Sequence, residues 1–185
     1  MKVLFKKLKD GARLPEKATV GSAAYDLYTA EDITIKQGRQ IIPLGFAMEM
    51  EEGYEALIDP RSGFSSKGME GYRTIEQYEV SMKRFSLYGF DNYPRLPEIE
   101  TKKEPYISAK PDRFDCDVIE GKIDSDYRDG VGVIVCNRDS RTFLIKAGTR
   151  IAQMTFHKVE TVEWEEVEKL SETDREGGFG STGVK

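Results

Sequence analysis

Residues 33–59 read ITIKQGRQIIPLGFAMEMEEGYEALID. Their apolar residues come in runs of three to five, at 33–35, 41–44, 46–50 and 54–58, with turn signals at Gln37-Gly38 and Glu52-Gly53. Short, β-branched runs punctuated by glycine predict strands, and no 3.6-residue period competes with them. The pattern continues outward. Val3-Leu4-Phe5 precedes it, and the runs 131–136, 143–145 and 151–156 follow, with turns at Asp129-Gly130 and Ala147-Gly148. Many short strands at this spacing predict an all-β sandwich, barrel or jelly roll. In the run RIAQMTF (150–156), strict alternation puts Ala152, Met154 and Phe156 on one face and Ile151, Gln153 and Thr155 on the other.

Residues 69–113 have a different character. They hold five of the nine tyrosines (72, 78, 88, 93, 106) and four of the seven prolines (94, 97, 105, 111). Eight acidic and eight basic residues cancel, so net charge steers no partner to this stretch. Thr74 to Phe85 predicts a short amphipathic helix, with Ile75, Tyr78 and Met82 on one face. The proline-rich half after it reads as extended loop. The expected division is therefore a β core of residues 1–68 and 114–170, an insertion or small subdomain at 69–113, and a glycine-rich, flexible arm at 171–185. Tyrosine and arginine are enriched at protein interfaces, so a binding role and a loop packed on its own domain both fit the insertion.

Composition narrows the function classes. A chain of 185 residues is one domain, or one with an insertion. A net charge of −5 argues against general nucleic-acid binding. No run approaches the roughly 18 apolar residues of a membrane span. The segment MKVLFKKLKD (1–10) reads as a strand and is too poor in apolar residues for a signal peptide. Two cysteines, Cys116 and Cys136, make no disulfide framework, which points to a reducing, cytoplasmic setting. One histidine, His157, excludes any mechanism needing two and reads as a strand-surface residue.

The chemistry is concentrated in five short stretches. AAYDL (23–27) sets Asp26 among apolar neighbours. DPRSG (59–63) is a turn joining a phosphate-suited guanidinium, Arg61, to Ser62 and Gly63. GKIDSDYRDG (121–130) carries Asp124 and Asp126, which point the same way if the segment is extended, and then Tyr127. GTRIAQ (148–153) supplies Gln153, and the chain closes on DREGGFGSTGVK (174–185), whose single aromatic, Phe179, has no core to enter. An arginine, a serine, a glutamine, backbone amides and several carboxylates suit a polyphosphate with Mg²⁺ and a water nucleophile. The tail lacks the Gly-Lys-Ser/Thr ending of a P-loop.

These five motifs, in this order, resemble the trimeric dUTPase (dUTP pyrophosphatase) family. Gly63 and Asp124 stand 61 positions apart (124 − 63), and a long insertion here is similar to that of the staphylococcal phage dUTPases, some of which also bind a repressor protein. The resemblance implies a jelly-roll-like dUTPase fold and a homotrimer with sites at subunit junctions. It implies Mg²⁺-dependent hydrolysis of dUTP to dUMP and pyrophosphate. Asp124 would activate the attacking water. Tyr127 would pack under the deoxyribose, and the backbone of a hairpin at 116–123 would read the uracil edge. Arg61, Ser62, Gly63 and Gln153 would bind phosphates, and Asp26 would support the metal through water. In the tail Phe179 would stack on uracil, while Gly180, Ser181 and Thr182 cap the γ-phosphate and Arg175 contacts phosphate. Arg175 stands four positions before Phe179, where the family pattern has five. The implied partners are dUTP, two further copies and, through 69–113, a repressor protein. Two alternatives stand beside this reading: a dCTP deaminase-type member of the same superfamily, and a nucleotide-gated regulator whose main task is to bind another protein.

Overall fold

The computed structural model describes residues 1–83 and 98–174, with the side chains of 76–83 and 98–105 excepted. The chain runs through β1 (Val3–Lys7), β2 (Tyr25–Tyr28), β3 (Ile33–Ile35), β4 (Gly38–Met50), β5 (Tyr54–Asp59), α1 (Ser62–Lys67), β6 (Met69–Lys83), β7 (Glu98–Ile107), β8 (Asp112–Phe114), β9 (Cys116–Ile119), β10 (Gly121–Ile123), β11 (Gly130–Asn137), β12 (Thr142–Ile145) and β13 (Arg150–Lys158). The all-β architecture expected from the sequence is the one observed.

Three antiparallel sheets share the strands. Their orders are β1-β4-β11-β9, β10-β5-β13-β2 and β3-β12-β6-β7, with β8 added beside β6. The runs at 41–44 and 46–50 belong to one strand, β4, which bends at Gly45 (φ 74°). The Gly45 carbonyl accepts hydrogen bonds from the amides of Leu8 and Lys9, and a Cβ here would stand 2.9 Å from that of Ala30. One core joins the sheets: Phe46, Val133 and Val135 from the first, Leu27, Ile58 and Met154 from the second, and Ile35, Phe143 and Met69 from the third are all buried. Burying each of the larger side chains contributes about 1.5–3 kcal/mol. Phe114 and Phe143 stack with centroids 3.9 Å apart, tying β8 to β12.

The segment expected to form a helix does not. β6 runs unbroken from Met69 to Lys83 and pairs with β7 from Thr74 opposite Ile107 to Lys83 opposite Glu98. The residues at 78–83 (YEVSMK) alternate with period two, and a strand partner settles the ambiguity that the 75/78/82 spacing left open. Arg84 and Phe85 lie outside the described residues. The expected extended loop is corrected over Glu98–Ile107, which form the strand β7, while its part at 86–97 lies outside the described residues. β7 ends its sheet, and Pro105 is tolerated on such an edge. The root of the segment is tied down by Arg141, which bridges Asp139 and Asp112. The Arg141 guanidinium beside Asp139 holds that carboxyl down at about 2.

Candidate active site

The second sheet positions the first half of the site. Asp26 on β2 lies opposite Gln153 on β13, and Gln153 lies opposite Asp59 on β5. Paired residues share a face, so the three side chains form a row across three strands. Thr155 follows on the same face, its hydroxyl 3.5 Å from Asp59 Oδ2. After Asp59 the chain turns through Pro60 into α1, whose first residues are Ser62 and Gly63. The helix starts at Arg61, whose carbonyl accepts the amides of Phe64 and Ser65.

Asp26 is buried, with 8% of its surface exposed, and is committed to two cations. Arg61 donates from Nε to Oδ1 (3.0 Å), and Arg150 donates from Nη1 to Oδ2 (3.2 Å). Arg61 also donates from Nη1 to the Arg150 carbonyl (3.3 Å). A cavity of about 360 Å³ opens over this group and is lined by Ser22, Ala23, Ala24, Asp26, Arg61, Ser62, Gly63, Gln153 and Thr155, among others. Three segments separate in sequence thus bring every phosphate-binding candidate in the described residues to one place. Arg150, Asp59 and Thr155 join them without having been singled out as site residues.

The other half lies elsewhere. The segment 116–123 is not a hairpin: β9 belongs to the first sheet and β10 to the second, so the chain crosses between sheets at Glu120. Ile119, Gly121, Lys122, Ile123 and Tyr127, with Ile58, Val131, Gly132 and Ile134, line a mostly apolar cavity of about 190 Å³. Residues 124–127 form a turn rather than an extended run, since the Tyr127 amide donates to the Asp124 carbonyl at 3.1 Å. Tyr127 is 40% exposed and its hydroxyl donates to the Gly130 carbonyl (3.1 Å), which fixes the ring at the cavity. Asp124 is exposed and sits between Ile123 and Tyr127 in the chain. Cys116 is buried, and burial pushes its thiol up to about 12, so it stays a neutral packing residue. His157 is exposed on β13 and hydrogen-bonds Thr155 at 2.8 Å. Arg175, Phe179, Gly180, Ser181 and Thr182 lie outside the described residues.

Adjacent residues of a strand point to opposite faces. On β5, Ile58 lines the apolar cavity while Asp59 stands in the row with Gln153. Within one chain, then, the apolar cavity and the arginine-rich cavity lie on opposite faces of one sheet.

A metal would find few ligands here. Among the described residues no three His, Cys, Asp or Glu side chains converge. Both oxygens of Asp26 are taken by Arg61 and Arg150, so Asp26 can reach an ion only through water, with Asp59 beyond the Gln153 amide. This fits an ion that keeps most of its water and takes its other ligands from a bound phosphate, which is the habit of Mg²⁺.

Comparison with known proteins agrees with this geometry. A family model described as dUTPase matches residues 10–75 and 114–183. The deoxyuridine 5'-triphosphate nucleotidohydrolase of Hydrogenobaculum sp. (strain Y04AAS1) is 35% identical over 188 residues, covering 100% of both chains. Among solved structures, a mutant dUTPase of Staphylococcus bacteriophage 80alpha with dUpNHpp has a TM-score of 0.69 at 23% identity, covering 99% of each chain. A mutant dUTPase from phage phi11 of S. aureus, described with a coordinated structural Mg(II) ion, has a TM-score of 0.59 at 21% identity, covering 91% of this chain and 98% of that one. A family model spanning most of the chain and a full-length relative at this identity carry one conclusion: the chain belongs to the dUTPase family.

Proposed function

We propose that the chain is a dUTP diphosphatase, hydrolysing dUTP to dUMP and pyrophosphate with Mg²⁺. The observation that carries this reading is the convergence of Arg61, Ser62, Gly63 and Gln153 on one cavity from separate segments of the chain. Arg61 and the first amides of the Ser62–Lys67 turn bind the phosphates. The apolar cavity at Tyr127 takes the nucleoside, with the ring under the deoxyribose where a 2′-hydroxyl would collide. Asp124 holds a water in line with the α-phosphorus and takes its proton as the new P–O bond forms. The bond from the α-phosphorus to the bridging oxygen breaks, and pyrophosphate leaves with that electron pair. Asp26 and Asp59 would hold Mg²⁺ through its water shell, and the ion would supply charge stabilisation to the departing pyrophosphate. The 171–185 arm closes over the nucleotide, with Phe179 on the base, Gly180, Ser181 and Thr182 at the γ-phosphate and Arg175 on phosphate. Release of pyrophosphate from dUTP, compared with UTP, dTTP and dCTP, tests the assignment.

The opposite-face arrangement of the two half-sites supports a shared site: the nucleoside half of one subunit meets the phosphate half of its neighbour in a homotrimer. Mixing two inactive variants checks this. Arg61→Ala and Asp124→Asn each lack one half, and co-refolding them restores about a quarter of wild-type activity if trimers form at random from equal amounts. Activity that stays at the level of the two variants alone contradicts the shared site.

A second role is assigned to the inserted segment. The family model matches residues 10–75 and 114–183 and passes over 76–113, which supports an added segment within 69–113. β7 forms a sheet edge there. Within the 69–113 segment, this portion offers a surface for a repressor protein. Two cysteines that are both free, Cys116 and Cys136, accord with work in the cytoplasm.

A further inference from the structure

Arg150 reaches Asp26 because its strand is irregular. β13 and β2 slip by one residue between Arg150 and Ala152, so that Arg150 pairs with Tyr28 while Ala152 pairs with Leu27. Such a bulge re-aims the side chain next to it. Arg150 and Gln153 are three positions apart and in a regular strand would face opposite ways. The extra residue, Ile151, is buried, and Arg150 comes round to the face of Asp26 and Gln153.

Arg61 lies between two cavities. Beyond the one over Gln153, a second of about 330 Å³ is bordered by Arg61, Arg150, Phe64, Tyr72 and Lys146 among others. Close packing therefore does not fix the Arg61 guanidinium on either side. Its restraints are the Phe64 ring, 5.6 Å below, and the hydrogen bonds to the Asp26 carboxylate and the Arg150 carbonyl.

We infer that Arg150 is a positioning residue for triphosphate binding, holding the Arg61 fork in place and cancelling the net negative charge that Asp26 and Asp59 would otherwise leave beside it. This rests on the reading that Arg61 contacts phosphate. Without Arg150, the Arg61 cation stands against two carboxylates, Asp26 and Asp59, so the row is net negative and disfavours an anion. Adding Arg150 brings these four groups to zero, beside a carboxylate that is itself buried, where water screens little. A guanidinium has five N–H donors; Arg61 uses its Nε–H and one at Nη1 on Asp26 and Arg150, which leaves the others for a ligand. Arg150 takes up the second Asp26 oxygen, so the carboxylate cannot turn to chelate Arg61 through both oxygens and withdraw the fork from the cavity.

The test compares Arg150→Met and Arg150→Lys with the unaltered chain, using α,β-imido-dUTP with Mg²⁺ and, separately, dUMP, which has no β- or γ-phosphate. Arg150→Met is expected to weaken the imido-triphosphate roughly 10–100-fold, the range for a lost charged hydrogen bond. dUMP affinity changes by less than about twofold, and the KM for dUTP rises by a larger factor than kcat falls. Arg150→Lys keeps the charge and recovers most of the loss. Wild-type affinity for the imido-triphosphate in Arg150→Met overturns the inference. So does equal weakening of both ligands with a lowered thermal midpoint, which marks a purely structural side chain. Should Arg150→Met fail to fold, Arg150→Gln takes its place under the same two criteria. The binding comparison needs no turnover, so a chain that binds the analogue without hydrolysing dUTP defeats the hydrolase reading and leaves this one intact.

Discussion

Asp124→Asn lowers kcat for dUTP by about 10²–10⁴-fold, the range for a lost general base, while affinity for α,β-imido-dUTP changes little. Asparagine keeps the size and hydrogen-bonding reach of the aspartate but cannot take the proton of the attacking water. The environment makes the separation clean. Asp124 is exposed and lies beyond the strand pairing of β10, which ends at Ile123 opposite Ala56. The substitution removes no buried contact, and the thermal midpoint stays where it is. Single-turnover rates with saturating dUTP, beside equilibrium binding of the analogue, check both halves. A kcat equal to that of the unaltered chain refutes the base assignment.

Truncation after Leu170 is the second large effect. It removes Arg175, Phe179, Gly180, Ser181 and Thr182 together. Stacking of one base on an aromatic ring contributes about 1–3 kcal/mol, and at 1.4 kcal/mol per tenfold the ring alone is worth roughly 5–150-fold in kcat/KM. Loss of the γ-phosphate contacts adds to it. The strands of the fold all lie before the cut: β13 ends at Lys158, and the residues from Val159 to Asp174 are exposed and belong to no strand or helix. Trp164, the only tryptophan of the chain, is 91% exposed within that stretch and reports by its emission whether the arm moves when nucleotide binds. Steady-state kinetics of the truncated chain give the result, and undiminished turnover at saturating dUTP contradicts a closing arm.

Much of this was legible in the sequence because it depends on local pattern. The runs at 33–35, 54–58 and 143–145 are strands because apolar and β-branched residues stand between glycine turns, and the structure draws them at or near those bounds. Asp26, Arg61, Ser62, Gly63 and Gln153 were legible as chemistry, and β2, β5 and β13 bring them together. What escaped the sequence depends on pairing. Residues 75, 78 and 82 satisfy a helical period, and the partner that makes them part of a strand, β7, is some twenty residues further on. The alternation of RIAQMTF holds from Ala152 onward and fails at Ile151, where the bulge inserts one residue. That single slip hid Arg150, which strict alternation places away from Gln153. The separation of the two half-sites was hidden for a similar reason. Ile58 and Asp59 are neighbours in sequence, and which cavity each faces is decided by the sheet and not by the motif.

The central claim is tested most directly by incubating the purified chain with Mg²⁺ and dUTP, UTP, dTTP or dCTP in turn and following pyrophosphate and ammonia. On the proposed placing of Tyr127 under the deoxyribose, the account predicts pyrophosphate and dUMP from dUTP, with UTP turned over at least about 10²-fold more slowly. Hydrolysis of UTP as fast as dUTP, or ammonia released from dCTP, would contradict it.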